Sequence, residues 1–262
     1  MFYKSYSLIE IKIWAIILKD KQDIRGENIG MKKIGIIGAM EEEVEQLKEK
    51  MTDVSVCSKA SMEFYTGLLE GKECVIVRSG IGKVNASVCT QILIDNYNVK
   101  MVINTGIAGS LRAEINVGDM VISTDAMQHD VDVRGFGYEV GVIPQMETSV
   151  FKAEERITDL AYRISKNVNS DIETHLGRIV SGDQFISDKE KKEWLSNQFG
   201  AYCTEMEGGA IAQTAYLNHL PFLILRTISD KADGSAEVDY ESFKASAIKH
   251  GVNFVTEFVK AL

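Results

Sequence analysis

From residue 33 to the C-terminus, short apolar runs alternate with longer segments in which apolar positions recur at helical spacing, the pattern of strands interleaved with helices. Lys33 to Gly38, where isoleucine and glycine alternate, predicts a buried strand, and Glu41 to Met51 a helix that opens on three consecutive carboxylates. Asp53 to Ser58 and Met62 to Leu69 predict two strands joined by a turn. Glu73 to Arg78 predicts another, ending in Ser79-Gly80-Ile81-Gly82-Lys83. Val84 to Asn96 reads as a helix rich in small and apolar residues, suited to packing on a sheet. Met101 to Asn104 predicts a short buried strand running into a glycine-rich turn, Thr105 to Ser110, and Gly118 to Ser123 the next strand. Ser149 to Val168 predicts an amphipathic surface helix, Gly177 to Ile186 a strand and turn, and Ser187 to Phe199 a helix with Ser187 as N-cap. Ala201 to Met206 predicts a strand, Gly208 to His219 a helix opened by Glu207, Pro221 to Ile228 the last buried strand, and Asp239 to Leu262 a long closing helix. Between Gln128 and Tyr138, charge, aromatics and glycine mix without period, as expected of a loop that covers a site or meets a partner subunit.

Residues 1–30 do not share this pattern. Ile9 to Leu18 is apolar but broken by Glu10 and Lys12, so its longest uninterrupted run, Ile13 to Leu18, is far below the ~20 residues that span a bilayer. No small-residue cleavage site follows it, as a signal peptide would require. The chain resets at Met31-Lys32-Lys33, directly before the first strand. Met31 is therefore expected to be the natural start, with 1–30 a translated upstream leader and 31–262 the folded domain. Arg25-Gly26-Glu27 is compatible with the purine-rich codons of a bacterial ribosome-binding site. An added edge strand or helix is the competing reading of the leader.

A chain of 262 residues, 45% hydrophobic and 26% charged, can bury a full core and most simply makes one large α/β domain. The net charge of -9 and the pI near 5.1 argue against a nucleic-acid partner or an anionic membrane surface, because phosphates meet an average repulsive field. A small neutral or cationic ligand is the easier partner. Cys57, Cys74, Cys89 and Cys203 lie far apart with no C-x-x-C pair, and His129, His175, His219 and His250 are equally scattered. Neither a disulfide framework nor a metal site is expected, and reduced thiols point to the cytoplasm. The Ser79 to Lys83 stretch lacks the spacing of a phosphate-binding P-loop, though its glycines let backbone N–H groups come close to a ligand.

Acidic residues in a first helical turn are favoured by the helix dipole alone, so Glu41 to Glu43 need mean no more than a good helix start. Two further stretches change the picture. Glu205-Met206-Glu207 and Arg226-Thr227-Ile228-Ser229-Asp230 also place carboxylates at or just beyond an apolar run, where α/β proteins keep ligand sites. A cleft holding Glu43, Glu207 and Asp230 suits chemistry on a sugar that becomes positively charged. Glycosidic cleavage passes through an oxocarbenium-like state and needs a base to activate water and an acid to protonate the leaving group. The His129-Asp130 pair reads as a hydrogen-bonded structural pair rather than a catalytic dyad, since nothing nucleophilic lies near it in sequence. Phe185 is either core or a ring that stacks on a flat heterocycle.

The stretches Ile34 to Val44, Ser79 to Val84, Asn104 to Gly109, Asp132 to Tyr138, Ser181 to Ile186, Glu205 to Glu207 and Arg226 to Asp230 stand in the order of a known pattern. Through them, the chain from Met31 to Leu262 resembles the 5'-methylthioadenosine/S-adenosylhomocysteine nucleosidases of the nucleoside phosphorylase superfamily. The resemblance implies a single α/β domain with a central mixed twisted β-sheet flanked by helices. It also implies irreversible hydrolysis that frees adenine from 5'-thio-substituted adenosines and 5'-deoxyadenosine, with no cofactor, in methionine salvage and the recycling of S-adenosylmethionine by-products. By similarity, Asp230 would protonate the imidazole nitrogen of adenine with Ser229 orienting it, and Glu43 would take a proton from the attacking water with Arg226 nearby. Glu207 would accept hydrogen bonds from the ribose hydroxyls, and Met206 would lie against the sugar. Phe185 resembles the adenine-stacking ring, and the backbone of Ile186 and the Gly109 region would contact the base. Met40, Ile81 and Tyr240 match positions around the 5'-thio pocket. Val133 and Phe136 match residues that a second subunit lends to it, which implies a homodimer.

Such roles require a raised pKa for an aspartate that donates a proton near neutrality, and burial near other carboxylates supplies one. The chain departs from the pattern at Ile107, where many relatives carry a hydroxyl near the water, and at Tyr240, often Phe. Neither change removes a proton-transfer group. A purine nucleoside phosphorylase is the closest rival, but phosphate needs cationic groups and free N–H donors, and Glu41 to Glu43 beside Ile107 offer the reverse. Other nucleosidases of the superfamily, acting on futalosine or nucleotides, and a non-catalytic nucleoside-binding protein on the same scaffold are the remaining alternatives. Mass spectrometry of the protein made from its native transcript is expected to find Met31 as the first residue, and a chain beginning at Met1 would refute the leader reading.

Overall fold

The run Ile34–Gly38 forms the parallel core strand β1, buried at every position. Its apolar residues are continuous rather than alternating because both faces of the sheet are covered by helices. Ile36 packs into a cluster with residues of α1 (Glu41–Glu49) and α6 (Ala236–Ala261), whereas Ile37 packs on the other face with residues of α2 (Lys83–Tyr97) and α5 (Gly208–Leu217). The computed structural model describes the backbone of residues 33–231 and 236–262 and the side chains of 33–231 and 245–262. The leader and the start at Met31 lie outside the described residues, as does the side chain of Tyr240 on α6.

Among the described residues the sheet has eleven strands, with β1 between β4 (Lys72–Arg78) and β5 (Met101–Asn104), both parallel to it. On the β4 side, β3 (Met62–Leu69) and the exposed edge strand β2 (Thr52–Lys59) add antiparallel pairings. On the other side, β11 (Phe222–Asp230) pairs with β5 and with β6 (Ile107–Ser110), both in parallel. Beyond β6 come β10 (Cys203–Glu205), β9 (Thr174–Ser181) and β7 (Met120–Gln128), and β7 then pairs back onto β11. Five strands thus close a ring, which removes two exposed edges. The sheet is mixed, as the resemblance implies. Within the ring β10 runs antiparallel to β6, so the residues that follow it return toward the start of β6. Among the described residues no helix is long and apolar enough to cross a membrane.

Local departures from the expected elements have physical causes. The glycine-rich stretch Thr105 to Ser110 is not all turn, because Ile107–Ser110 is strand β6 with Ala108 and Ser110 buried. The expected helix from Ser149 starts only at α3 (Glu155–Val168). Ahead of it Phe151–Lys152 forms β8, since Phe151 is fully buried against the Tyr216 ring and pairs with Ala126 of β7. Helix α4 (Lys189–Phe199) is capped by Asp188 rather than Ser187, its side chain accepting from the Lys191 N–H at 2.7 Å. Asp serves this position as well as Ser does, one residue later.

Helix α6 carries the heaviest apolar load against the strand that ends at Asp230, with Phe254 and Phe258 fully buried and stacked at 5.4 Å. Phe258→Ala is expected to destabilise the fold by about 3–5 kcal/mol, read as a lowered urea midpoint with an unchanged slope.

Candidate active site

Glu43 is the third residue of α1, and its carboxylate folds back over the start of its own helix. Oε2 accepts from the backbone N–H of Ala39 at 2.7 Å and of Met40 at 3.0 Å, the second arm of a capping box. Oε1 accepts from the N–H of Ile107 at 3.2 Å, across the sheet on β6. Gly106 makes that approach possible, since a Cβ there would lie 2.7 Å from Oε1. Glu43 is 6% exposed, and this burial raises its pKa above the usual carboxylate value, against the opposing pull of the Met40 N–H, the Arg226 guanidinium and the other amides.

Arg226, at 1% exposure on β11, is the cation of the cluster. Its Nη2 bonds to the Glu205 carboxylate and to Asn104 Oδ1 at 2.5 Å, and lies 4.0 Å from Glu207 Oε2. Glu205 also accepts from the Ser181 hydroxyl and from the N–H groups of Glu207 at 3.1 Å and Gly208 at 2.8 Å, where α5 begins. An anion is well placed at that helix end. Glu207 Oε1 accepts from the Gly82 N–H at 2.9 Å, which ties the glycine-flanked end of β4 to the end of β10. Burial, and then the neighbouring Glu205 charge, push Glu207 up to about 8 despite Arg226.

Asp230 ends β11 at 2% exposure. Ser229 Oγ donates to its Oδ1 at 2.9 Å, and the fully buried ammonium of Lys192 donates to its Oδ2 at 2.7 Å and to the Lys231 carbonyl at 2.5 Å. Its nearest charged neighbour is therefore a cation, not the second carboxylate that the sequence suggested. Gly109 lies against it, with no room for a Cβ, which would sit 2.8 Å from Oδ2. Gly106, directly before β6, lies against Glu43, and Gly109, within β6, lies against Asp230, so the backbone positions next to the two carboxylates are three residues, roughly 10 Å, apart.

The remaining expected residues are placed less centrally. Met206 and Met40 are half-buried, Ile81 is 53% exposed and Phe185 57% exposed. Ile186 is buried in a cluster with Leu195 and Phe199. Val133 is half-buried and Phe136 85% exposed around a single 3-10 turn, Arg134–Phe136. His129 and Asp130 do not bond to each other. Asp130 accepts from Lys83 Nζ at 2.6 Å and from the Asp183 N–H, while burial lowers the pKa of His129. A cavity of about 350 Å³ borders His129, Asp130, Arg134, Gln184 and Lys191 rather than the three carboxylates, which are closed from solvent.

Sequence reasoning named Glu205 and Asn104 only as members of their stretches, without a role, and missed Lys192. Lys192 sits in the charged run Lys189-Glu190-Lys191-Lys192-Glu193, which reads as a solvated face. The signal was its spacing of three from Leu195 and seven from Phe199, which puts it on the apolar stripe of α4. Glu205 stands at the end of a three-residue strand, and nothing in the spacing separates it from Glu207.

Residues 33–261 match the family model described as the Phosphorylase superfamily. The 5'-methylthioadenosine/S-adenosylhomocysteine nucleosidase of Staphylococcus haemolyticus is 45% identical over 232 residues, which cover 87% of this chain and 100% of the relative. The protein of the same name from Halalkalibacterium halodurans is 45% identical over 233 residues, 88% of this chain and 100% of its own. Among solved structures, the nucleosidase of that name from Neisseria meningitidis, in complex with methylthio-immucillin-A, superposes with a TM-score of 0.84 at 39% identity, covering 88% and 100% of the two chains. The futalosine hydrolase of Helicobacter pylori superposes at 0.83 with 33% identity, covering 88% and 99%. With the whole of residues 33–261 matched and these identities over full-length relatives, the chain belongs to the 5'-methylthioadenosine/S-adenosylhomocysteine nucleosidases of the phosphorylase superfamily.

Proposed function

We propose that the protein hydrolyses the N-glycosidic bond of 5'-methylthioadenosine and S-adenosylhomocysteine, and of 5'-deoxyadenosine, releasing adenine and the 5-substituted ribose. The observation that carries this reading is the pair of buried carboxylates against Gly106 and Gly109, Glu43 and Asp230, with Glu207 and Arg226 beside the first. In this reading Glu43 takes a proton from water as its oxygen bonds to the anomeric carbon, and Asp230 delivers a proton to the imidazole ring as the C–N bond breaks, so that adenine leaves neutral. Glu207 binds the ribose diol, whose hydroxyls become better donors as the ring gains positive character, so it favours the transition state over the substrate. Ser229 orients Asp230. Phe185, Ile186 and Gly109 contact the purine, and Met206 lies against the sugar. Met40, Ile81 and Tyr240 surround the 5' substituent.

Hydrolysis is favoured over phosphorolysis by the backbone donors near the nucleophile. The N–H groups of Ala39, Met40 and Ile107, which an anion would need, are already taken by the Glu43 carboxylate. A phosphate entering there would meet a negative charge. We further propose a homodimer in which Val133 and Phe136 reach the neighbouring 5' pocket. The 85% exposure of Phe136 supports this, since an aromatic ring left in water is a contact waiting for a partner. The four free cysteines, three of them buried, fit a reducing cytoplasm.

In phosphate-free buffer, adenine release is expected from all three nucleosides. Glu43→Gln and Asp230→Asn should each lower kcat by about 10²–10⁴-fold while melting as cooperatively as the parent. Because burial raises Glu43 above its ordinary 4.5 and the base works ionised, the acidic limb of kcat should fall at a pH above that value. Glu207, at about 8 in the fold against 4.5 unfolded, holds its proton more tightly when folded, so its contribution to stability is full below pH 4.5 and declines as pH rises through 8. Glu207→Gln removes that decline. Relative to the parent, it should melt higher at pH 8.5 than at pH 5, and its kcat should fall. Unchanged turnover would refute its role at the ribose.

A further inference from the structure

We infer that Lys192 is a latch on Asp230: its ammonium occupies the carboxylate oxygen that the purine takes over when substrate binds. The inference rests on the reading above, in which Asp230 protonates adenine.

Burying an ammonium is unfavourable unless it is paired and hydrogen-bonded. Among the described residues Lys192 meets that condition through the site, with Asp230 Oδ2 at 2.7 Å and the Lys231 carbonyl at 2.5 Å. Its neighbours Lys189, Glu190 and Glu193 are exposed, whereas Lys192 is 0% exposed. Both oxygens of Asp230 are then engaged, Oδ1 by Ser229 and Oδ2 by Lys192. An acid that hands a proton to the purine needs one oxygen turned toward it within hydrogen-bond reach.

Ser229 is built into β11, and its hydroxyl also donates to the Ala108 carbonyl of β6 at 3.3 Å. Lys192 is held differently. It stands in the first turns of α4, and the approach to that helix, residues 182–188, has no regular structure and carries Phe185 at 57% exposure. The segment proposed to cover the purine is therefore the one that leads into the helix bearing the latch. Turning Phe185 onto the base and withdrawing Lys192 from Oδ2 become one movement of this segment. The burial of the three carboxylates and the open cavity beside Gln184 and Lys191 fit that geometry. Binding must work against the latch, so the apparent affinity of the empty enzyme is reduced by the fraction of molecules held shut.

The test uses the full chain with Lys192→Met, which keeps the length and apolar stem without the charge, and Lys192→Gln, which keeps a neutral donor. Calorimetry with adenine and steady-state kinetics with methylthioadenosine are the readouts. For Lys192→Met the adenine Kd and the KM are expected to fall together by about three- to tenfold, with kcat changing less than KM. Lys192→Gln should lie between that variant and the parent, and it carries the test alone should the Met variant fail to fold. In an Asp230→Asn background, Lys192→Gln should shift the adenine Kd far less, because the latch acts through Asp230. Unchanged Kd and KM in the single variants would overturn the latch. So would a loss of kcat with KM constant, or a crystal structure with adenine in which Lys192 still bonds to Asp230. Failure of the underlying reading looks different: Asp230→Asn would then keep its turnover whatever happens at Lys192.

Discussion

Everything in the site depends on one guanidinium buried among more negative charge than it can neutralise. Arg226 bonds directly to Glu205 and faces Glu207 and Glu43. One positive charge among three carboxylates in a medium of low dielectric leaves charge that water cannot screen. Burial is the leading cause that raises Glu207, to about 8, and Glu43; the Glu205 and Glu43 charges add to the rise of Glu207, whereas the Arg226 guanidinium and the backbone donors oppose that of Glu43. Positive charge developing nearby favours the ionised form of both groups. In the proposed glycosidic cleavage the oxocarbenium-like state would be such a charge, and the fold would hold part of its electrostatic stabilisation in place before substrate arrives.

The ring closure makes this crowding possible. A parallel strand in the place of β10 would carry Glu205 and Glu207 away from the start of β6, toward the end where Asp230 sits. Because β10 runs antiparallel to β6, both glutamates return to the level of Gly106, where Glu43 and Arg226 already are. The side chains are then fixed by backbone donors rather than by each other. Glu43 uses Ala39, Met40 and Ile107, Glu205 uses the start of α5, and Glu207 uses Gly82. Backbone amides do not change rotamer, so the spacing between the groups is preorganised.

Near Gly109 the surroundings differ. Asp230 faces the buried ammonium of Lys192 and the Ser229 hydroxyl. The two carboxylates given opposite proton duties in the proposal thus stand in different surroundings, Glu43 held by backbone N–H groups beside Arg226 and Asp230 by a side-chain cation and a hydroxyl. Separate environments let two chemically similar carboxyl groups take different parts in one reaction.

Much of this was legible along the chain. Apolar runs broken by glycine marked the strands, and the order of acidic residues after them marked Glu43, Glu207 and Asp230, because hydrophobic period and helix-start chemistry are local properties. Pairing order, the direction of β10 and the closure of β7 onto β11 are not local, so no window of sequence contained them. Lys192 shows the boundary between the two. By composition it belongs to a solvated charged run, and only the docking of α4 against the end of β11 turns it inward onto Asp230. The sequence alone determined which acidic groups stand at the ends of strands. Tertiary structure decided which charges face one another, because Coulomb interaction depends on distance and burial, and the chain order specifies neither.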